Sequence, residues 1–238
     1  MKLDVLAFGA HPDDVEMSCG GTILNLVAAG KKVGIIDLTR GELGSRGSAE
    51  LRDEEAAEAA KVLGVSVREN LCFRDGFFQD DEAHQLEVIR MIRKYQPEIV
   101  LGNAILDRHP DHGKGSSLVR NSVFLSGLKK IETFENGEKQ TAFRPQKFFT
   151  YIQDHHLEPT FVVDISSVFQ QKMAAIACYK TQFYNPNSTE ELTYISTKTF
   201  WDFFEARARN TGHLINVAHG EGFRSETVLK VQDIMSLI

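Results

Sequence analysis

Two short clusters carry the side chains most capable of chemistry: His11-Pro12-Asp13-Asp14 and His109-Pro110-Asp111-His112. Histidines and carboxylates meeting at one crevice suit a metal ion, and the ligand count fits zinc. A catalytic zinc site takes three protein ligands and keeps one position open. His11 and Asp14 from the first turn and His112 from the second fill that count. Asp13 then lies beside the metal but free, placed to accept a proton from water acidified there. Pro12 and Pro110 fix φ and stiffen each turn. Alone, the first cluster could be a helix N-cap and the second a surface turn. Two such turns at the ends of parallel strands favour the metal reading.

The elements that must position these turns follow from the hydrophobic pattern. Leu3–Ala10 is a short apolar run that predicts a buried parallel strand. The pattern continues with a helix over Ser18–Ala29, a strand over Lys32–Leu38 and a long glycine loop over Thr39–Ser48. A helix over Glu50–Leu63, a strand over Glu69–Phe73, a helix over Gln85–Tyr95 and a strand over Glu98–Gly102 come next. This alternation predicts an α/β, Rossmann-like doubly wound, mostly parallel sheet in which ligands bind outside the carboxyl ends of the strands. Both clusters follow strand ends and fall on one edge. The second half predicts a helix after His112, strands near Lys147–Gln153 and Thr160–Ile165, and helices over Val168–Tyr179 and Glu190–Arg209. With no linker or repeat, residues 1–238 read as one domain.

The net charge of −6, with no basic run longer than Lys129-Lys130, argues against nucleic-acid binding. No stretch of eighteen apolar residues predicts a membrane span, and the first residues do not read as a signal peptide, so a cytoplasmic protein is expected. Cys19, Cys72 and Cys178 lack CxxC spacing and read as buried small hydrophobes.

At AHPDD, GxxxSRG with the following Arg-Asp-Glu, and HPDH, the chain resembles the PIG-L/LmbE-like N-acetylglucosamine deacetylases over nearly its whole length. The tail ARARNTGHLINVAHGEGF resembles the bacillithiol-biosynthesis subgroup (BshB type), which deacetylates N-acetylglucosaminyl malate; relatives act on diacetylchitobiose and other N-acetyl sugars. The resemblance implies one zinc per chain, held by His11, Asp14 and His112, with Asp13 as general base. It implies that His109 stabilises the tetrahedral intermediate, that Asp111 tunes His109, and that Arg52 contacts the sugar. It also implies a homo-oligomer, often a hexamer. Some relatives have a tyrosine just before the second motif, where this chain has Asp107-Arg108, so no role for that tyrosine carries over.

On this reading zinc-assisted hydrolysis proceeds with Asp13 moving the proton and a charged His109, kept so by Asp111, holding the oxyanion. Arg46, Arg52 and Arg108 are the candidates for substrate contact, since arginine pairs bidentately with carboxylates. For Arg46, plain exposure is an equal alternative; Arg108 could instead pair with Asp107. Arg52 opposes the helix macrodipole where it stands, which favours a functional role. Tyr194, His219, His84, His155 and His156 read as core or surface residues, and Phe200, Trp201, Phe203 and Phe204 as core or interface. A nucleotide-dependent oxidoreductase would need GxGxxG after the first strand, which is missing. A two-metal phosphoesterase would want more carboxylate ligands. A catalytically dead sugar-binding protein would not need Asp13 and His109.

Overall fold

The structure is a computed structural model that describes residues 1–237. Val5–Gly9 (β1), Asp14–Ala28 (α1), Val33–Thr39 (β2), Ala49–Leu63 (α2), Val67–Phe73 (β3), Glu82–Tyr95 (α3), Ile99–Gly102 (β4) and Pro110–Leu125 (α4) form the alternating first half. A short hairpin, Phe134–Glu135 (β5) and Glu138–Lys139 (β6), precedes Lys147–Tyr151 (β7), Phe161–Asp164 (β8), Phe169–Ile176 (α5), Lys198–His213 (α6) and Gly220–Ser225 (β9). The main sheet has the order β3-β2-β1-β4-β7-β9-β8. Its first five strands are parallel, and β9 runs antiparallel to both β7 and β8. Every residue of β1 and β2 is buried, as befits strands covered on both faces. Leu6, Phe8, Ile36 and Leu38 pack with Met91, Ile92 and Leu118 beneath α3 and α4. Val5, Ala7, Val33 and Ile35 pack with Val15, Ile23 and Leu63 beneath α1 and α2.

The strand order reverses between β1 and β4, the position where open α/β sheets hold their ligands. Both His-Asp clusters follow those two strands. The expected α/β architecture is therefore the observed one; the differences are shifted element ends, the short β5–β6 hairpin and strand β9. Helix α1 begins at Asp14, four residues before the expected start, because the carboxylates of the motif occupy its first turn, where the helix dipole favours anions. Helix α6 begins at Lys198, not Glu190: Thr197 caps it by accepting the Phe200 N–H. Glu190 is instead tied to Arg46 and the Gly47 N–H. Cys72 is exposed, against expectation, at a left-handed φ of 54°.

Strand β9 was not expected from its glycine-rich sequence, and it has a specific task. Helix α1 is kinked at Cys19, whose φ of −138° breaks the helical ladder. The kink frees the N–H groups of Gly21 and Thr22, which a helix start leaves without intrahelical partners. Glu221 on β9 accepts both, at 2.9 and 2.7 Å, and the Thr22 hydroxyl at 2.6 Å. Lys172 on α5 balances its charge at 2.6 Å, with both side chains buried. Glu221→Ala would strand the Lys172 ammonium and the two helix N–H groups. It should cost about 3–5 kcal/mol, the range for breaking a buried ion pair, read as a lower midpoint in denaturant unfolding. A loss under about 1 kcal/mol, the range of an exposed pair, would contradict this role.

Candidate active site

Most polar groups of the crevice come from the carboxyl ends of strands, and Arg52 reaches in from α2. His11 to Asp14 follow β1, Gly41 follows β2, Asp75 follows β3, Asn103 and Asp107 to His112 follow β4, and Gln153 follows β7. The crevice, about 400 Å³, is lined by His11, Asp13, Asp14, Arg52, His109 and His112 among others.

The inner nitrogens of two histidines converge on Asp14. His112 Nε2 lies 3.0 Å from Asp14 Oδ1, and His11 Nδ1 lies 3.7 Å from Asp14 Oδ2. Their outer nitrogens are held by carboxylates: His112 Nδ1 by Asp107 at 2.5 Å, His11 Nε2 by Asp75 at 3.0 Å and Asp111 at 3.4 Å. Carboxylates on the outer nitrogen are the usual second layer around a metal-binding imidazole, fixing its tautomer and aim. Burial works to strip charge from both imidazoles. The hydrogen bonds from Asp111 and Asp75 and the Asp14 charge override it at His11, pushing its pKa up to about 10. At His112 the Asp14 charge and the Asp107 hydrogen bond override burial, giving about 9. Against the upward push of burial, His112 and His11 in turn hold Asp14 well below the ordinary carboxylate range. The site as folded calls for positive charge.

Asp13 behaves differently from its neighbour. It occupies the N-cap position of α1 with φ of 122°, a left-handed value that strains any residue but glycine, and its side chain makes no capping hydrogen bond. The simple N-cap reading of the motif is thereby overturned. Its carboxylate instead lies 3.4 Å from Arg52 Nη1, which also donates to the Pro12 carbonyl at 3.1 Å. Gly41, at φ 65°, leaves the room: a Cβ there would sit 3.0 Å from Arg52 Nη1. Burial raises the Asp13 pKa to about 7, the Arg52 charge restraining the rise.

His109 accepts the Asp111 backbone N–H at Nδ1, 3.3 Å away, so the proton of the neutral ring sits on Nε2. Its pKa is depressed to about 4 by burial and by the charges of His11 and His112. The expected charged His109, kept so by Asp111, differs from this arrangement. The Asp111 carboxylate accepts from the Gly76 N–H, forms an ion pair with Lys114, and backs His11.

The arginines divide. Arg52 lies within the site. Arg46 is buried but turned away, donating to Ser188 at 2.6 Å and to Glu190 at 3.4 Å. Arg108 lies on the crevice rim, pairs with Asp154 rather than Asp107, and covers the Tyr194 ring at 4.4 Å. Phe200 and Phe204 are core, and His219 stacks on Phe169. Sequence reasoning missed Asp75, Asn103 and Gln153, and considered Asp107 only as a partner for Arg108. The signal available for all four was position just after a strand.

The side chains fit a divalent metal. Bonds of about 2.0–2.1 Å in tetrahedral geometry place ligand atoms roughly 3.4 Å apart. His112 Nε2 stands 3.0 Å from Asp14 Oδ1, near that spacing, and the 3.7 Å from His11 Nδ1 runs to the other oxygen, Oδ2. His11, Asp14 and His112 could hold such an ion with Asp13 free beside it. Among the described residues, the groupings whose ligand atoms all lie close together are His11 with His109 and His112, and His11 with Asp75 and Asp111. The first would occupy the free His109 nitrogen; the second would use the outer nitrogen of His11.

A family model described as PIG-L, GlcNAc-PI de-N-acetylase, matches residues 6–123. The uncharacterized deacetylase YaiS of Escherichia coli K12 is 38% identical over 174 residues, 71% of this chain and 90% of that protein. A diacetylchitobiose deacetylase of Thermococcus kodakarensis is 30% identical over 189 residues, 75% of this chain and 70% of that protein. The crystal structure of the conserved protein TT1542 from Thermus thermophilus superposes with a TM-score of 0.85 at 36% identity, covering 97% of this chain and 98% of that one.

Purified protein should take up about one zinc-type ion per chain, and His112→Ala should lose it while keeping its secondary structure. Elemental analysis finding two tightly held ions, or none after zinc is supplied, would contradict the three-ligand site.

Proposed function

The chain belongs to the PIG-L de-N-acetylase family, and on that premise we propose that it hydrolyses the N-acetyl group of a small N-acetylglucosamine conjugate using one zinc ion. The observation that carries this reading is the contrast between two adjacent aspartates. Asp14 is engaged by both histidines, whereas Asp13 is held free of capping, strained, and close to neutral pKa. A zinc ion, when bound, supplies Lewis acidity that polarises an amide carbonyl and lowers the pKa of water.

The chain's own residues do the rest. Asp13, with a pKa of about 7, accepts the proton of the attacking water and returns it to the leaving amine, the poise that general acid–base catalysis requires. Arg52 anchors Asp13 through its carboxylate and the Pro12 carbonyl, which fixes its aim. His109 contributes a neutral Nε2–H donor for the developing oxyanion, a dipole already oriented by its Nδ1 hydrogen bond. No serine or cysteine nucleophile is required.

N-acetylglucosaminyl malate is the finer proposal for the substrate. The resemblance of the tail supports it, and Arg108, paired with Asp154 but still exposed on the crevice rim, is the arginine placed to reach a malate carboxylate; Arg46, buried against Glu190, is not. Diacetylchitobiose or another N-acetyl sugar is the alternative. Homo-oligomerisation, up to a hexamer, belongs to the same proposal and is read by sedimentation.

The protein should release acetate from N-acetylglucosamine conjugates. Asp13→Asn should keep the metal and lose about 10²–10⁴-fold in kcat, the typical weight of general acid–base catalysis. Near-normal turnover in that variant would overturn the base assignment. For the malate conjugate, kcat/KM should exceed that for free N-acetylglucosamine, and Arg108→Ala should narrow the gap through the malate substrate. Equal efficiency on both would leave the general N-acetyl sugar reading in place of malate.

A further inference from the structure

Gln153 stands just past the end of β7, 3% exposed, and meets Asp14 and His112 from within the protein rather than from the crevice. Its carboxamide has one allowed orientation. Oε1 accepts from the Ala104 backbone N–H at 3.0 Å and from Asn103 Nδ2 at 3.0 Å. Because a backbone N–H can only donate, the amide cannot be flipped, and its NH₂ must face the site. Nε2 lies 2.9 Å from Asp14 Oδ1 and 3.4 Å from His112 Nε2.

Asp14 is constrained from the other side as well. Its Oδ2 already accepts from the His11 N–H at 3.0 Å and from Asn103 Nδ2 at 2.9 Å. The oxygen left for a cation is Oδ1, which Gln153 steadies. Asn103 bridges the two side chains, and Arg207 holds the Gln153 carbonyl together with that of Met17.

We propose that Gln153 is the floor of the metal site, a positioning residue that aims Asp14 through Oδ1. By presenting a nitrogen that donates instead of an oxygen that coordinates, it limits the site to three protein ligands. This rests on the zinc reading above. The chemistry is a matter of one atom. Catalytic zinc keeps a position open, whereas structural zinc is closed by a fourth protein ligand. A glutamate in this place would set an oxygen where Nε2 now sits, at ligand-to-ligand spacing from both Asp14 and His112. It would close the site from below. A methionine would fill the same volume and neither donate nor bind as a carboxylate does.

The two substitutions therefore shift metal binding in opposite directions, which a packing role alone would not do. Metal-free wild type, Gln153→Glu and Gln153→Met are titrated with zinc against a competing chelator, and their cobalt(II) forms are examined by visible absorption. Gln153→Glu should bind zinc at least about tenfold more tightly, with an altered cobalt spectrum; Gln153→Met should bind about tenfold more weakly, the usual cost of losing a supporting hydrogen bond. If the metal-free glutamate variant cannot be isolated, thermal unfolding with and without zinc reads the same order. Both variants weakened alike, or both unchanged with wild-type spectra, would overturn the role of Gln153 alone. Wild type that binds no ion would overturn the metal assignment and this inference with it.

Discussion

Four carboxylates, those of Asp14, Asp75, Asp107 and Asp111, are drawn around two buried imidazoles, and this concentration of negative charge in a water-poor place is the constraint on which the site depends. Burial pushes each carboxylate toward its neutral form. His11 and His112 reverse that push at all four, directly or through shared hydrogen bonds, so that each is held below its ordinary range. The demand falls on the imidazoles, whose inner nitrogens must carry protons or share their lone pairs with a cation. A divalent ion answers the same demand, which is why metal binding to such a site is accompanied by proton release.

The fold creates that constraint by bringing five strand ends to one edge. Parallel strands place their carboxyl ends together, and reversal of order between β1 and β4 opens the crevice. Departures from regular geometry sit beside it: the left-handed Asp13, the kink at Cys19, and the glycine at 41 that admits Arg52. Asp13 and the kink, and Gln153 beside them, are held by residues far away in sequence. Arg52 on α2 restrains Asp13, Glu221 on β9 closes the kink, and Arg207 on α6 fixes the carbonyl behind Gln153.

The first half of the fold was legible because buried parallel strands write continuous apolar runs, as Val5–Gly9 and Val33–Thr39 do. The two His-Asp turns could be placed on one edge from the runs that precede them, Val5–Gly9 and Ile99–Gly102. What remained hidden depends on tertiary pairing. Strand β9 has two glycines in six residues and is a strand only because β7 and β8 flank it. Helix α6 starts late because Glu190 is captured by Arg46, a contact 144 positions apart. Asp75 and Gln153 lie in no recognisable motif, and only the strand preceding each points to the site. The direction of the Asp111 carboxylate, toward His11 and Lys114, follows from where β3 delivers Gly76 and could not be read from the HPDH spacing.

The central claim is that the inner nitrogens of His11 and His112 and an oxygen of Asp14 hold the ion, leaving Asp13 free. Anomalous diffraction at the zinc absorption edge tests it most directly, on crystals of the protein supplied with one equivalent of zinc. A single peak is expected about 2.0–2.2 Å from His11 Nδ1, Asp14 Oδ1 and His112 Nε2. A peak instead between His11 Nε2, Asp75 and Asp111, or one coordinated by Asp13, would contradict it.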